Sequence, residues 1–150
     1  MNLFLDTSAL IKIYHREKGT EEISNYLSNA SESLVLTISD ITKIELHSAL
    51  MRRFRKGEIS YNNLSETFQL FDIDFRKFSI VTTDRFVKNL ALYIIDSQGI
   101  NNSISTLDSI QLASAVYSNS YSKIERFVSS DQKMLNVAKE FFQVINPEDL

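Results

Sequence analysis

MNLFLDTSALIKIY, residues 1–14, decides the fold. An apolar run ends at Leu5 and Asp6 follows at once. Ala9, Leu10 and Ile13 then lie three, four and seven residues beyond that aspartate. A short extended run that passes straight into helical spacing reads as a strand feeding a helix. The alternation continues down the chain. Further β-rich runs appear at residues 34–38, 78–81, 126–129 and 143–145. Between them lie helical stretches. Thr20 opens a short one. Ser39 is placed to cap ITKIELHSALMRRFRK, with Gly57 as its stop, and Ser60 to open a helix carrying Leu64, Phe68, Phe71 and Phe75 on one face. Others run from near Thr83 to Gly99, through LDSIQLASAVYS and through DQKMLNVAKEFF. Strands alternating with long helical crossovers imply a parallel sheet covered on both faces. The expected fold class is α/β, a three-layer α/β/α sandwich with about five parallel strands, and residues 1–150 form a single domain.

Composition narrows the chemistry. The 150 residues are 43% hydrophobic and 23% charged, with a formal net charge of −3, no cysteine, three glycines and one proline. That profile excludes disorder and low-complexity repeats. The missing cysteines remove disulfides, thiol nucleophiles and CxxC redox centres. Gly19, Gly57 and Gly99 are too scattered for a phosphate-cradling glycine loop. No apolar run reaches the ~18 residues of a membrane span, and the N-terminus lacks the basic region of a signal peptide and meets an aspartate at position 6. A soluble cytoplasmic protein is expected. The negative charge provides no global field for nucleic acid.

Four acids stand where solvated acids do not belong. Asp6 ends an apolar strand. Asp108 is followed by Leu112 and Ala115, and Asp131 by Leu135 and Ala138, at four and seven residues. Glu45 has Ile41 four residues before it and Ala49 four after. In helical segments each carboxylate continues the stripe that faces the sheet. A buried ionised carboxylate is costly unless paired or bound to a metal. Asp6 and Asp131 follow strands, at the edge where open parallel sheets hold their ligands. Convergent carboxylates without histidine or cysteine suit a hard cation, Mg²⁺ or Mn²⁺. Each acid also has an ordinary reading. Asp6 and Asp131 suit helix N-caps, Asp108 a first helical turn, and Glu45, read as mid-helical, an ion pair with Lys43 or Arg52. Four such coincidences in one small domain favour a shared pocket. His15 and His47 lack a second ligand at zinc-site spacing and are expected on solvated faces. The basic run MRRFRK (residues 51–56) suits a helix C-terminus, but Arg52 lies seven residues beyond Glu45, on the same face.

Together FLDTSALIKIY, SDITKIELHSAL, STLDSIQLASAV and FVSSDQKMLNVAKEFFQVINPE, carrying Asp6, Glu45, Asp108 and Asp131 in order, resemble PIN-domain proteins over nearly the whole chain. The likeness is greatest to the VapC toxin ribonucleases of bacterial and archaeal toxin–antitoxin pairs. It implies a five-stranded sandwich and an endoribonuclease dependent on Mg²⁺ or Mn²⁺. In that family's pattern Asp6 and Asp108 are the firmest metal ligands, and Glu45 and Asp131 complete the acidic set. Thr7, Ser8 and Ser129 fall where the family tends to place hydroxyls that orient the acids. Apart from the resemblance, Arg52, on the face of Glu45, offers a cation for a substrate phosphate beside its ordinary reading at a helix C-terminus. Ser105 stands where many relatives carry an arginine, and SSD replaces a common threonine-containing fourth block. Neither departure removes a metal ligand, but the missing arginine bears on phosphate positioning and substrate preference.

The resemblance further implies hydrolysis of RNA phosphodiester bonds, a small antitoxin partner that occupies the acidic groove, and a homodimer with no membrane association. The alternative is a PIN-fold binding or scaffold module with little or no nuclease activity, which Ser105 favours mildly and the four retained acids disfavour. A phosphoacceptor receiver domain would share the sheet, but it needs paired acids after the first strand, where Asp6 is followed by Thr7. Of the 19 acidic residues four belong to the proposed pocket, and the other 15 stand against 16 basic ones. The acidity is therefore concentrated in the site, and the net charge does not argue against an RNA substrate.

Overall fold

The structure, a computed structural model, describes residues 1–30, 33–100 and 103–150. Its strands are β1 (Asn2–Leu5), β2 (Val35–Ser39), β3 (Ser79–Val81), β4 (Arg126–Val128) and β5 (Val144–Ile145). They form one sheet in the order β3-β2-β1-β4-β5, with every neighbouring pair parallel. The helices are α1 (Thr7–Tyr14), α2 (Thr20–Ser28), α3 (Thr42–Arg55), α4 (Tyr61–Phe75), α5 (Arg85–Gln98), α6 (Thr106–Asn119) and α7 (Gln132–Ala138). A 3₁₀ turn, Pro147–Asp149, follows β5. The fold is the α/β/α sandwich that the strand–helix alternation predicts.

The central strand shows why. All four residues of β1 are buried, as expected for a strand inside a doubly covered parallel sheet. Its side chains alternate between two cores. Leu3 and Leu5 join Leu10, Ile23, Leu46 and Phe71, so α1 to α4 cover that face. Phe4 joins Val87, Ile94, Leu112 and Val137, so α5 to α7 cover the other. Phe4 pairs in register with Phe127 of β4, and their rings stack at 5.4 Å. On α4, Leu64, Thr67 and Phe71 are buried, while Leu70 and Ile73 stay exposed. Among the described residues no helix is long and apolar enough to cross a membrane.

Several local expectations change. Ser39 does not cap α3, because its register with Val81 keeps it in β2. Its hydroxyl instead meets Ser114 at 3.1 Å. The helix begins at Thr42, with Ile41 as a cap that makes no side-chain bond. Glu45 therefore lies in the first turn, not mid-helix. The last helix stops at Ala138, short of the phenylalanines. Phe142 is drawn under the sheet instead, stacking on Phe127 at 6.0 Å. Neither histidine is fully solvated. His15 is half-buried, and His47 lies flat on Phe68 with ring centroids 3.9 Å apart. Gly57, with φ +75°, closes α3 as expected of a residue in the left-handed region.

Strand order places the site. From β1 the chain moves outward to β2 and β3, then crosses the sheet to β4 and β5. The direction reverses between β1 and β4, where open parallel sheets hold their ligand crevice. Asp6 and Ser129 are the first residues after those two strands.

Candidate functional site

Asp6 is 5% exposed and caps α1, accepting the Ala9 N–H at 3.0 Å. Ser8 donates to its Oδ1 at 2.8 Å and Ser129 to its Oδ2 at 2.7 Å. The turn after β4 is stitched to the same hydroxyls, since Ser130 N–H reaches Ser8 Oγ at 2.8 Å and Asp131 N–H reaches Ser129 Oγ at 3.0 Å. Burial pushes the Asp6 carboxyl up to about 6, against the pull of these hydrogen bonds, and the nearby charge of Asp108 adds to the rise.

The other acids arrive from helix starts. Asp108 lies three residues past the α6 cap in a capping box, where Ser105 Oγ donates to its Oδ2 at 2.7 Å and accepts its N–H at 3.2 Å. Ser105 thus holds the acid itself. Asp131 caps α7, its Oδ1 accepting Lys133 N–H at 2.7 Å and Met134 N–H at 3.1 Å. Glu45 makes no ion pair among the described residues. Lys43 pairs with Asp72 instead, and Thr7 donates to Glu45 Oε2 at 2.8 Å.

All four acids open onto one cavity of about 360 Å³, together with Thr7, Ser8 and Arg52. Ser129 stands behind Asp6, outside that lining. Arg52 is exposed and has no ion-pair partner among the described residues. The cavity thus brings together the sequence-derived residues other than Ser129, at the carboxyl edge of β1 and β4.

Two parts of its wall escape the sequence reading. Gln111 on α6 is 2% exposed and donates to Glu45 Oε2 at 2.5 Å and Thr7 Oγ1 at 2.9 Å. Its one signal is a polar residue three after Asp108, inside an apolar stripe. The second is a cluster of ions. Lys12 is 3% exposed and donates to Glu17 at 3.1 Å, Glu148 at 2.9 Å and the Lys18 carbonyl at 2.7 Å. Arg53 joins by pairing with Glu17. Nothing local marks this cluster, because it joins residues up to 136 positions apart.

The donor set tests whether a cation belongs here. Its acids carry only hard oxygen donors. Each helix-borne acid commits one oxygen to protein donors, so Glu45 Oε1, Asp108 Oδ1 and Asp131 Oδ2 have no hydrogen-bond partner among the described residues. Ser130 Oγ, also on the cavity wall, is buried and has no hydrogen-bond partner among the described residues. Among the described residues, however, no three acidic or histidine side chains stand close enough to hold an ion outright. The chemistry therefore fits a hydrated Mg²⁺ or Mn²⁺, which takes one or two carboxylates and keeps several waters, better than a caged ion.

The family model described as PIN domain matches residues 3–140. No curated protein matches the chain. Among solved structures the chain is similar to FitAcB from Neisseria gonorrhoeae, at 17% identity over 99% of each chain and a TM-score of 0.71. It is similar to Mycobacterium tuberculosis VapC20, described as a Sarcin-Ricin loop cleaving toxin, at 12% identity over 89% of this chain and 93% of that one, TM-score 0.65. It also resembles a chain of a toxin–antitoxin complex from Klebsiella pneumoniae, at 14% identity over 97% of each, TM-score 0.61.

Proposed function

The chain belongs to the PIN-domain family, and from that premise we propose that it is a divalent-metal-dependent endoribonuclease, the cytoplasmic toxin of a type II toxin–antitoxin pair. One observation carries the reading. Asp6, buried and held against ionisation, opens with Glu45, Asp108 and Asp131 onto a single cavity at the strand switch point. Burying one acid beside the charge of another costs stability, and acids clustered in this way are characteristic of functional sites.

In this proposal Asp6 and Asp108 hold the cation directly, and Glu45 and Asp131 hold it directly or through water. The cation supplies Lewis acidity at the phosphodiester and a more acidic water. The protein's own groups do the rest. Ser8 and Ser129 fix both oxygens of Asp6, and Ser105 fixes Asp108. Glu45 or Asp131 aligns the attacking water and takes its proton through a free oxygen. Arg52, on the same wall, receives a backbone phosphate. The VapC20 likeness supports an RNA substrate, and the Klebsiella complex supports an antitoxin partner. The family resemblance extends the proposal to a homodimer.

The second reading is a PIN-fold binding or scaffold module. It is favoured by the absence, among the described residues, of three acids gathered closely enough to hold an ion. Calorimetric titration with Mn²⁺ separates the two. The nuclease reading expects binding that Asp108→Asn abolishes, together with cation-dependent cleavage of labelled RNA. Absence of carboxylate-dependent binding leaves the scaffold.

A further inference from the structure

Gln111 touches no substrate in the mechanism above, yet three helices meet at its amide. It lies on α6, three residues after Asp108. Its Nε2 carries two hydrogens and faces three oxygens: Glu45 Oε2 at 2.5 Å, Thr7 Oγ1 at 2.9 Å and Thr42 Oγ1 at 3.0 Å. Thr7 donates its own hydroxyl hydrogen bond to the same Glu45 oxygen at 2.8 Å. Thr42 donates to Gln111 Oε1 at 3.3 Å. This pattern fixes which end of the amide is which. A flipped amide would set its oxygen against the Glu45 carboxylate at the closest contact of the group.

We infer that Gln111 is a positioning residue: with Thr7 it clamps one oxygen of Glu45 and leaves Oε1 as the only oxygen offered to the cation or its water. The inference rests on the nuclease reading and deepens it. Gln111 and Thr42 are both buried, at 2% and 0% exposure, and the two amide hydrogens of Gln111 face Glu45 and the threonines, so Gln111 has no donor left for RNA. Whatever Gln111 contributes to turnover passes through Glu45. Lost clamping leaves Glu45 chemically intact but free to rotate, a fault of geometry and not of charge. Partners that orient metal-site carboxylates carry effects of this kind.

Gln111→Met keeps the length of the side chain and deletes both donors. Relative to wild type, the variant should lose about ten- to a hundredfold in kcat and in apparent Mn²⁺ affinity by calorimetry. KM for RNA should stay within about twofold, because no RNA contact is lost. In a Glu45→Ala background Gln111→Met should add no further loss in either readout, the signature of two residues acting as one unit. An independent arm needs no Gln111 variant. The side-chain amide protons of Gln111 should be exchange-protected in ¹⁵N spectra of the wild type, and should shift and lose protection in Glu45→Ala. Losses that simply add across the two backgrounds, or amide resonances that ignore Glu45→Ala, overturn the inference while the nuclease reading stands. A wild type that neither binds Mn²⁺ nor cleaves RNA removes that reading and the inference with it.

Discussion

Asp6 is a buried acid that the fold holds at an energetic cost. Its folded pKa of about 6 lies above the ordinary 3.8. Between those values the folded state binds more protons than the unfolded state. The stability that Asp6 contributes is therefore fully present below pH 4 and is lost as pH rises through 6. Above that, ionised Asp6 costs on the order of 3 kcal/mol when no cation is bound. Asp6→Asn should accordingly stabilise the cation-free protein at pH 7.5 by about 1–3 kcal/mol and give little or no gain at pH 4. Urea unfolding in a chelator at the two pH values checks this, and a variant destabilised equally at both contradicts it. Asp6 was legible in the sequence because an acid directly after an apolar strand breaks the burial pattern. Gln111 was not, because one polar side chain in LDSIQLASA reads as ordinary helix, and its three partners come from α1 and α3, 66 to 104 positions away.

Among the elements, helix starts carry the site. The capping box of α6 should be worth about 1 kcal/mol, so Ser105→Ala should lower stability by that amount in chemical denaturation. It should also lower cleavage of labelled RNA by up to about tenfold, since Asp108 loses the hydroxyl at 2.7 Å that orients it. Lys12 performs the opposite task, tying α1 to the turn that follows β5. With the lysine 3% exposed and saturated by three acceptors, Lys12→Met leaves Glu17 and Glu148 without it. Those partners are 23% and 29% exposed, so water takes up part of the loss. The expected cost is about 2 kcal/mol, below the 3–5 of a fully buried pair, read as a lower thermal midpoint. Element identities were legible, since periods of two and of three to four residues separate strands from helices. Boundaries were less so. Ser39 looks like a cap, and only its pairing with Val81 shows that β2 claims it.

At the level of the whole molecule, parallel pairing followed from the alternation of strands and helices, but the order β3-β2-β1-β4-β5 did not. That order depends on which core each helix fills, a contest between distant side chains that no local pattern records. It is also what creates the crevice, because only the reversal between β1 and β4 brings Asp6 beside the turn that carries Ser129 and Asp131. The net charge of −3 acquires a location in the same way. The four proposed ligands share one cavity, and outside them the chain is close to neutral, so under the proposed function RNA would be drawn by a bound cation and Arg52 and not by a global field. The most direct measurement is cleavage of end-labelled single-stranded RNA with Mg²⁺ or Mn²⁺, comparing wild type with Asp6→Asn and Asp108→Asn. Cleavage by the wild type that chelator abolishes and that falls at least about a hundredfold in both variants is the predicted result. Undiminished cleavage in both variants, or cleavage indifferent to the cation, would contradict it.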